Sequence, residues 1–164
     1  NLKLLKKNIK INKIENRVKV IENAISNIKD QNYHTKLGSQ KSEVIIQSGN
    51  SEKKTITLSS LISEEKLNKI DFLKIDIEGS NYKVAQCIID NVSKIDGLQY
   101  EFNKGPTNIF LYLIDKLNNF YDFYILENEK FKKIDEKSLK EKIKIFGNNN
   151  KSGVDVYFKK NRFL

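Results

Sequence analysis

The chain opens with apolar residues at helical spacing. Leu2, Leu5 and Ile9 recur every three to four residues before Asn12, and this period predicts an amphipathic helix. Several β-branched side chains come together shortly afterwards, and they predict a strand over residues 17–22.

The next part of the chain is polar and carries weaker signals. Short β-like stretches lie at residues 44–46 and 55–58. A short helix is predicted over residues 60–68, because Ser60 or Ser63 could serve as its N-cap.

The second half of the chain alternates between strand and helix patterns. Residues 70–77 form the densest apolar run, which is typical of a strand buried on both faces of a parallel sheet. A helix that Ser80 could cap follows, since the apolar residues from Val84 to Val92 share one face. The alternation predicts a single α/β domain with a largely parallel sheet. The remaining predicted elements are a strand over 98–102, a helix from Thr107 to Leu117, a strand over 121–126, a Lys-rich helix over 139–146 and a strand over 154–158.

Charge is distributed unevenly along the chain. The 164 residues include 30 Lys and Arg against 21 Asp and Glu, a formal net charge of +9, and 28 of the basic residues are Lys. Residues 71–128 nevertheless carry only 5 basic against 9 acidic groups. A protein that tracks phosphates presents a continuous basic stripe, so this pattern argues against a nucleic-acid partner.

Other features exclude whole classes of protein. No apolar run approaches the ~20 residues that a membrane-spanning helix needs. The single Cys, Cys87, excludes an internal disulfide and fits a reducing compartment, so we expect a cytoplasmic location. His34 is the only His, so the chain lacks a zinc pattern and no metal is predicted. Cys87 and the aromatic residues at 121–124 are interpreted as parts of the core.

Polar side chains interrupt the 70–77 strand near its end. The strand period puts Lys74, Asp76 and Glu78 on one face, and Gly79 allows a close turn into the next helix. Two carboxylates on a buried strand are costly unless they are paired or face a polar cleft. Ligands of open α/β sheets bind outside the carboxyl ends of the strands, so this end is a candidate site. The alternative is an ion pair of Lys74 with either carboxylate that has no further role.

The same segment resembles a known family. Lys74-Ile75-Asp76-Ile77-Glu78-Gly79, preceded by Thr57-Leu58, resembles the hallmark of the FkbM family of S-adenosylmethionine-dependent methyltransferases. That hallmark reads Lys-Ile-Asp-Val/Ile-Glu-Gly-x-Glu and follows a Thr-Leu-Asp. Asn81 stands at the position of the final Glu of the hallmark.

Further segments extend the resemblance along the chain. Asn23-Ala24-Ile25-Ser26 is similar to the Ala-Leu/Ile-Ser after the third strand of the family, and Glu101 lies where the family has a strand-end Glu. The opening helix and the closing strand are also similar. The resemblance implies a Rossmann-like class I methyltransferase sheet of order 3-2-1-4-5-7-6, mostly parallel with the seventh strand antiparallel. Strands one and two would precede Asn1, so residues 1–164 are expected to be the C-terminal part of one methyltransferase domain.

The resemblance also implies a mechanism. S-adenosylmethionine would supply the methyl group, and the protein would position the acceptor, a hydroxyl on a sugar, glycan or other small metabolite. Asp76 or Glu101 would accept or orient the hydroxyl proton. The implied catalytic residues are Asp76, Glu78 and Glu101; the implied cofactor-binding residues are Asn23, Ala24, Ser26 and Asp76; and the implied substrate-binding residues are Lys74, Glu78 and Asn103.

Three expectations can be compared with a structure or an experiment. The chain alone should bind S-adenosylmethionine weakly and be inactive, because the glycine-rich turn of the family would precede Asn1. Residues 71–77 should pair in parallel with 97–102 and have no partner strand from residues 1–30. The alternative function is a non-enzymatic basic α/β module that binds RNA or other polyanions, which salt-dependent binding without a response to S-adenosylmethionine would favour.

Overall fold

A computed structural model describes residues 2–37, 42–46, 53–77, 80–103, 105–149 and 153–161. Helices and strands alternate through these ranges, as the sequence predicts for an α/β fold. The helices are α1 (Leu2–Ile11), α2 (Leu58–Glu64), α3 (Ala85–Asp90), α4 (Thr107–Leu117) and α5 (Glu136–Asn149). The strands are β1 (Ala24–Ile25), β2 (Tyr33–Leu37), β3 (Ser42–Ile46), β4 (Thr55–Ile56), β5 (Leu73–Ile75), β6 (Gly97–Phe102), β7 (Tyr121–Glu127), β8 (Lys130–Ile134) and β9 (Val154–Lys160).

The main sheet has five strands in the order β5-β6-β9-β7-β8. Strand β5 runs parallel to β6, and β9 is antiparallel to both of its neighbours, β6 and β7. The expected parallel pairing of 71–77 with 97–102 is therefore confirmed over β5, and in the described part of residues 1–30 no strand pairs with β5. The order of these segments and the antiparallel closing strand agree with what the resemblance implies.

The prediction of a mostly parallel sheet holds for the direction of β5, β6 and β7, which run the same way, but not for the strand pairs. Only the β5–β6 pair is parallel among the four pairs that the structure describes in this sheet. Two features produce the difference. The last strand, β9, inserts between β6 and β7, which themselves run in the same direction. Strand β8, which the sequence did not predict, returns from β7 through a tight turn at Asn128 and Glu129, whose φ angles of 49° and 63° are left-handed.

The hydrophobic core lies on one face of this sheet. Leu98, Tyr100 and Phe102 of β6 are at most 3% exposed, and they stand opposite inward residues of β9. The buried residues of α3, α4 and α5 belong to the same apolar cluster, so these helices cover that face. The opposite face carries the alternating polar residues of β6 and β9, which are half-buried or exposed. No helix within the described ranges combines the length and apolar content that crossing a bilayer requires.

The first half of the chain differs from its predicted elements. Residues 17–22 are not a strand; the ladder begins only at β1, which pairs in parallel with β4. Helix α2 begins two residues before Ser60, and its N-cap is Thr57, whose hydroxyl accepts a hydrogen bond from the Ser60 amide at 3.1 Å. The Ser80 side chain makes no capping bond to the 3₁₀ turn that follows it.

The 70–77 segment is also less buried than its apolar run predicts. Only Leu73–Ile75 joins the ladder, and Phe72 is 55% exposed while Ile75 is 7% exposed. The strand is therefore buried on the helix-covered face alone. The apolar composition of the segment correctly indicated that one face is buried. The spacing of apolar residues along one strand does not show which faces of the sheet are covered by helices.

Two buried tyrosines, Tyr100 and Tyr121, differ in whether the hydroxyl group has a hydrogen-bond partner. The Tyr100 hydroxyl has no hydrogen-bond partner among the described residues, whereas the Tyr121 hydroxyl donates to the Ile95 carbonyl at 2.7 Å. Burial raises the pKa of both, that of Tyr121 to about 12, so both stay neutral near pH 7. A buried polar group without a partner costs about 1–3 kcal/mol. We therefore expect Tyr100→Phe to raise the free energy of unfolding by about 1 kcal/mol.

Tyr121→Phe is the matched control for this prediction. It removes the same atom but leaves the Ile95 carbonyl without its donor, so we expect a loss of about 1 kcal/mol. Urea titration followed by circular dichroism measures both variants. A destabilised Tyr100→Phe would mean that its hydroxyl does have a partner.

Candidate active site

The carboxyl ends of β5 and β6 bring two predicted site residues to one edge of the sheet. The parallel register pairs Lys74 with Gln99 and Ile75 with Tyr100. Asp76 comes directly after the last residue of β5 in this ladder, and Glu101 comes directly after its partner Tyr100 on β6. Both side chains follow the alternation onto the face opposite the core. The strand-end argument of the sequence concerned Asp76 and Glu78, and the resemblance added Glu101 from the neighbouring strand.

Asp76 lies on the exposed side of this pair. The Lys74 ammonium contacts its carboxylate at 3.1 Å, with the two side chains 55% and 42% exposed. The hydrogen bond and the negative charge of Asp76 raise the pKa of Lys74 above its usual value. The ion pair that the sequence left open as an alternative is thus present. Because both groups face solvent, the pair contributes little to stability, and the Asp76 carboxylate stays accessible.

Glu101 is more tightly held. The Asn103 side-chain amide donates to its Oε2 at 2.7 Å, and the Asn81 amide lies 3.5 Å from the same oxygen. Gly153 passes so close that a Cβ there would stand 2.9 Å from Glu101 Oε1 and 2.9 Å from Asn103 Cβ. The Glu101 carboxylate therefore has amide donors at Oε2, and the backbone of Gly153, which has no side chain, lies against Oε1.

Asn81 was not predicted as a site residue, although it is the most buried polar side chain there. Its exposure is 0%. The Ile77 amide donates to its Oδ1 at 2.8 Å, and its Nδ2 donates to the Glu101 carbonyl at 2.7 Å. The sequence offered one signal: Asn81 stands at the position of the final Glu of the hallmark that begins at Lys74. Gly153 carried no signal, because its contact with Glu101 depends on where β9 inserts.

The remaining predicted site residues are more scattered. Glu78 lies outside the described residues, so its proposed catalytic and substrate roles stay predictions. Asn23 is exposed and donates to the Lys54 carbonyl at 2.9 Å, while Ala24 is half-buried in β1. Ser26 is 7% exposed, and its carbonyl accepts a contact from the Cys87 thiol at 3.4 Å. Of the three residues predicted to flank the cofactor, Ser26 lines a cavity among the described residues.

That cavity is a groove of about 520 Å³. Residues 26–31, which follow β1, form one wall, and Tyr82 to Gln86 with part of α4 form the other. Tyr82 follows Asn81 directly, so the groove begins one residue from the side chain that contacts Glu101. Its lining includes both side-chain amides and apolar groups. The members used below are Ser26, Asn27, Gln31, Tyr82, Gln86 and Ile109.

Thiol chemistry and metal binding are the other chemistries that bear on the predicted residues. Cys87 is buried, and burial raises the pKa of its thiol, which agrees with its interpretation as a core residue. Among the residues that the structure describes, no three metal-ligating side chains come together. The predicted core role of the aromatic residues at 121–124 holds for Tyr121 and Phe123, each 2% exposed.

A comparison with protein families bears on the two functions considered from the sequence, a methyltransferase and a non-enzymatic module that binds polyanions. A family model described as the methyltransferase FkbM domain matches residues 1–120. The chain belongs to the FkbM methyltransferase family. The match includes β5 and β6 with Asp76, Glu101 and Asn103, and it ends before β7. Searches of curated proteins and of solved structures gave no significant match.

Membership of the FkbM family agrees with the mixed α/β fold and with a methyltransferase activity. The hallmark from Lys74 and the strand-end Glu101 lie within the matched range, whereas the closing strand lies beyond it. The alternative of a non-enzymatic module for RNA or other polyanions gains no support from the comparisons.

Proposed function

We propose that the chain is part of an S-adenosylmethionine-dependent methyltransferase that methylates a hydroxyl group on a sugar or another small metabolite. The observation that carries the proposal is the Glu101 carboxylate, held by the Asn103 amide at 2.7 Å beside the strand end that bears Asp76. Family membership supports the reaction class. The cofactor, the acceptor and the residue roles are the finer parts of the proposal.

The groove beside Ser26 fits the adenosine half of the cofactor. Its volume of about 520 Å³ is within the ~300–1,000 Å³ of small-molecule sites. The amides of Asn27, Gln31 and Gln86 can donate to and accept from a purine edge, while Tyr82 and Ile109 supply apolar flanks. When bound, the cofactor supplies an electrophilic methyl group on sulfur. Asn23 and Ala24 act in this proposal by shaping β1, which ends at Ser26.

The carboxylates have separate roles in the proposal. Glu101 accepts the proton of the acceptor hydroxyl as the oxygen is methylated, because its carboxylate is fixed in orientation. Asp76, with Lys74, binds and orients the acceptor at the exposed side of the pair. Asn103 keeps Glu101 in place and Glu78, from the hallmark, contributes to substrate binding. Holding the hydroxyl in line with the methyl group accounts for much of the rate.

Adenosine is the simplest probe of the groove. We expect the 164-residue chain to bind adenosine with a Kd of around 1 mM, equivalent to about −4 kcal/mol. S-adenosylmethionine should bind within a few-fold of that value, because the glycine-rich turn expected for its methionine end is not in this chain. Titration followed by ¹H–¹⁵N NMR should move the amide signals of Ser26 to Gln31 and Tyr82 to Gln86.

Gln31→Ala and Gln99→Ala form the matched pair for this titration. Gln31 lines the groove, so its truncation should weaken adenosine binding by about threefold to tenfold, the value of one hydrogen bond. Gln99 lies on the sheet and donates to Asp155 at 3.0 Å, so its truncation should leave the Kd unchanged. Micromolar binding of S-adenosylmethionine, or signals that move only at other residues, would show that the cofactor site is misplaced.

A further inference from the structure

Asn81 connects the ends of two strands that are far apart in sequence. Its Oδ1 accepts a hydrogen bond from the Ile77 amide at 2.8 Å, just after Asp76, and its Nδ2 donates to the Glu101 carbonyl at 2.7 Å. A side chain that is 0% exposed keeps both bonds out of competition with water. One amide thus bridges the backbone that carries each carboxylate of the candidate site.

The two hydrogen bonds of Asn81 join the segments after the last residue pair of the β5–β6 ladder. The β5–β6 ladder stops at the Ile75–Tyr100 pair, so no strand pairing fixes the distance between Asp76 and Glu101. Asn81 performs that task with one acceptor and one donor, and a second approach of its Nδ2 to Glu101 Oε2 at 3.5 Å adds to the amide environment of the carboxylate. A side-chain amide can donate to one backbone group through its nitrogen and accept from another through its oxygen at once.

We propose that Asn81 is a positioning residue, which sets the separation and orientation of Asp76 and Glu101 by hydrogen-bonding both strand ends. The inference deepens the proposed function and rests on it for the meaning of the two carboxylates. Asn81 itself does not need to touch the acceptor or the cofactor. Its effect should therefore appear in the rate of methyl transfer and not in the affinity for either.

Two substitutions separate the halves of the bridge. Asn81→Leu keeps a similar volume and removes both bonds. Asn81→Asp keeps an acceptor for the Ile77 amide, but it removes the donor to the Glu101 carbonyl and places a second carboxylate near Glu101 Oε2. The matched control is Asn91→Leu, because Asn91 is 7% exposed and donates to Ser59 Oγ at 2.9 Å and the Cys87 carbonyl at 2.7 Å, away from the site.

The first measurement needs no activity. ¹H–¹⁵N NMR of the 164-residue chain reports the Asn103 side-chain amide, which donates to Glu101, and the Gly153 amide beside it. We expect both signals to move in Asn81→Leu and Asn81→Asp and to stay in place in Asn91→Leu, although all three variants should have a lower Tm. Unchanged Asn103 and Gly153 signals in both Asn81 variants would overturn the proposal.

The second measurement separates positioning from folding. In the complete methyltransferase domain, release of S-adenosylhomocysteine is followed with S-adenosylmethionine and the methyl glycosides of glucose, fucose and rhamnose as probes. We expect Asn81→Leu to lower kcat by on the order of 10–10²-fold, as for a displaced reacting group, with KM within twofold. Asn91→Leu should keep the wild-type kcat below its Tm.

The outcomes distinguish this inference from the proposed function. Absence of turnover with every probe in the wild-type protein would count against the proposed acceptor class, while the NMR comparison would still decide the role of Asn81. Wild-type turnover with an equal loss of kcat in Asn81→Leu and Asn91→Leu would reduce Asn81 to a stability residue. A rise in KM alone would place it in ligand binding.

Discussion

Glu101→Gln should lower methyl transfer by on the order of 10²-fold or more in the complete methyltransferase domain, because a positioned general base contributes about 10²–10⁴-fold. Glutamine keeps the shape of the side chain and can still contact the Asn103 amide, which lies 2.7 Å from Glu101 Oε2 in the wild type. It cannot accept the hydroxyl proton. The rate is measured as S-adenosylhomocysteine formed per enzyme, with circular dichroism to verify the fold.

Glu127→Gln is the control for this loss. Glu127 ends β7 at the same edge of the sheet, and its carboxylate lies 3.3 Å from the Lys142 ammonium, away from the Asp76–Glu101 pair. The Lys142 hydrogen bond and nearby lysine charge lower the pKa of Glu127, so the control also removes an ionised carboxylate. Its turnover should stay within twofold of wild type.

The Asp76→Asn variant tests which of the two carboxylates, Asp76 or Glu101, acts as the general base. The Lys74 ammonium 3.1 Å away would lose its charged partner, and we expect turnover to fall by roughly 10²-fold if Asp76 orients the acceptor. Wild-type turnover in Glu101→Gln together with a large loss in Asp76→Asn would transfer the role of base to Asp76. Wild-type turnover in both variants would remove the assignment of this site.

The fold was predictable where a pattern depends on local periodicity. Helix α4 has the predicted apolar spacing, and its residues Phe110, Leu113 and Ile114 are at most 2% exposed. The positions of β6, β7 and β9 were predictable for the same reason. The hairpin strand β8 was missed because its Lys-rich edge has no buried face to impose alternation. Lysine side chains on such an edge are solvated, so they leave no strand pattern in the sequence.

The candidate site was predictable only in part, because its contacts join distant segments. The hallmark indicated Asp76, and the strand-end position indicated Glu101. The hydrogen bonds of Asn81 to Ile77 and Glu101 required the parallel pairing of β5 and β6, which no single-strand pattern contains. The approach of Gly153 to Glu101 required the insertion of β9 between β6 and β7. Such long-range pairings are set by packing and not by local propensity.

The insertion of β9 has an energetic consequence at Phe158. This side chain is 2% exposed, and its ring lies 5.3 Å from that of Phe123 on β7 and 6.4 Å from that of Phe102 on β6. Phe158 thus joins the aromatic residues of both neighbouring strands. Truncating a buried Phe to Ala costs about 3–5 kcal/mol through lost burial and the cavity left behind.

Phe158→Ala should therefore lower the free energy of unfolding by about 3–5 kcal/mol, a large share of the ~5–15 kcal/mol of a typical domain. Phe131→Ala is the matched control, because Phe131 is 62% exposed on the edge strand β8 and makes an edge-on contact with Tyr157 at 4.8 Å between ring centroids. Losing that pair should cost about 0.5–1.5 kcal/mol. Urea titration at equal protein concentration compares the two variants.

Comparing Phe158→Ala with Phe131→Ala tests the order of the strands in the sheet. Both residues are phenylalanines, but Phe158 lies on the central strand β9 and Phe131 on the edge strand β8. If β9 were a peripheral strand and β6 paired directly with β7, Phe158 would lose its neighbours on one side and its truncation would cost little more than that of Phe131. A loss at Phe158 at least twice that at Phe131 supports the central position of β9. That position also places Gly153, at the start of β9, against the Glu101 carboxylate, so the same strand order that stabilises the core sets the boundary of the candidate site.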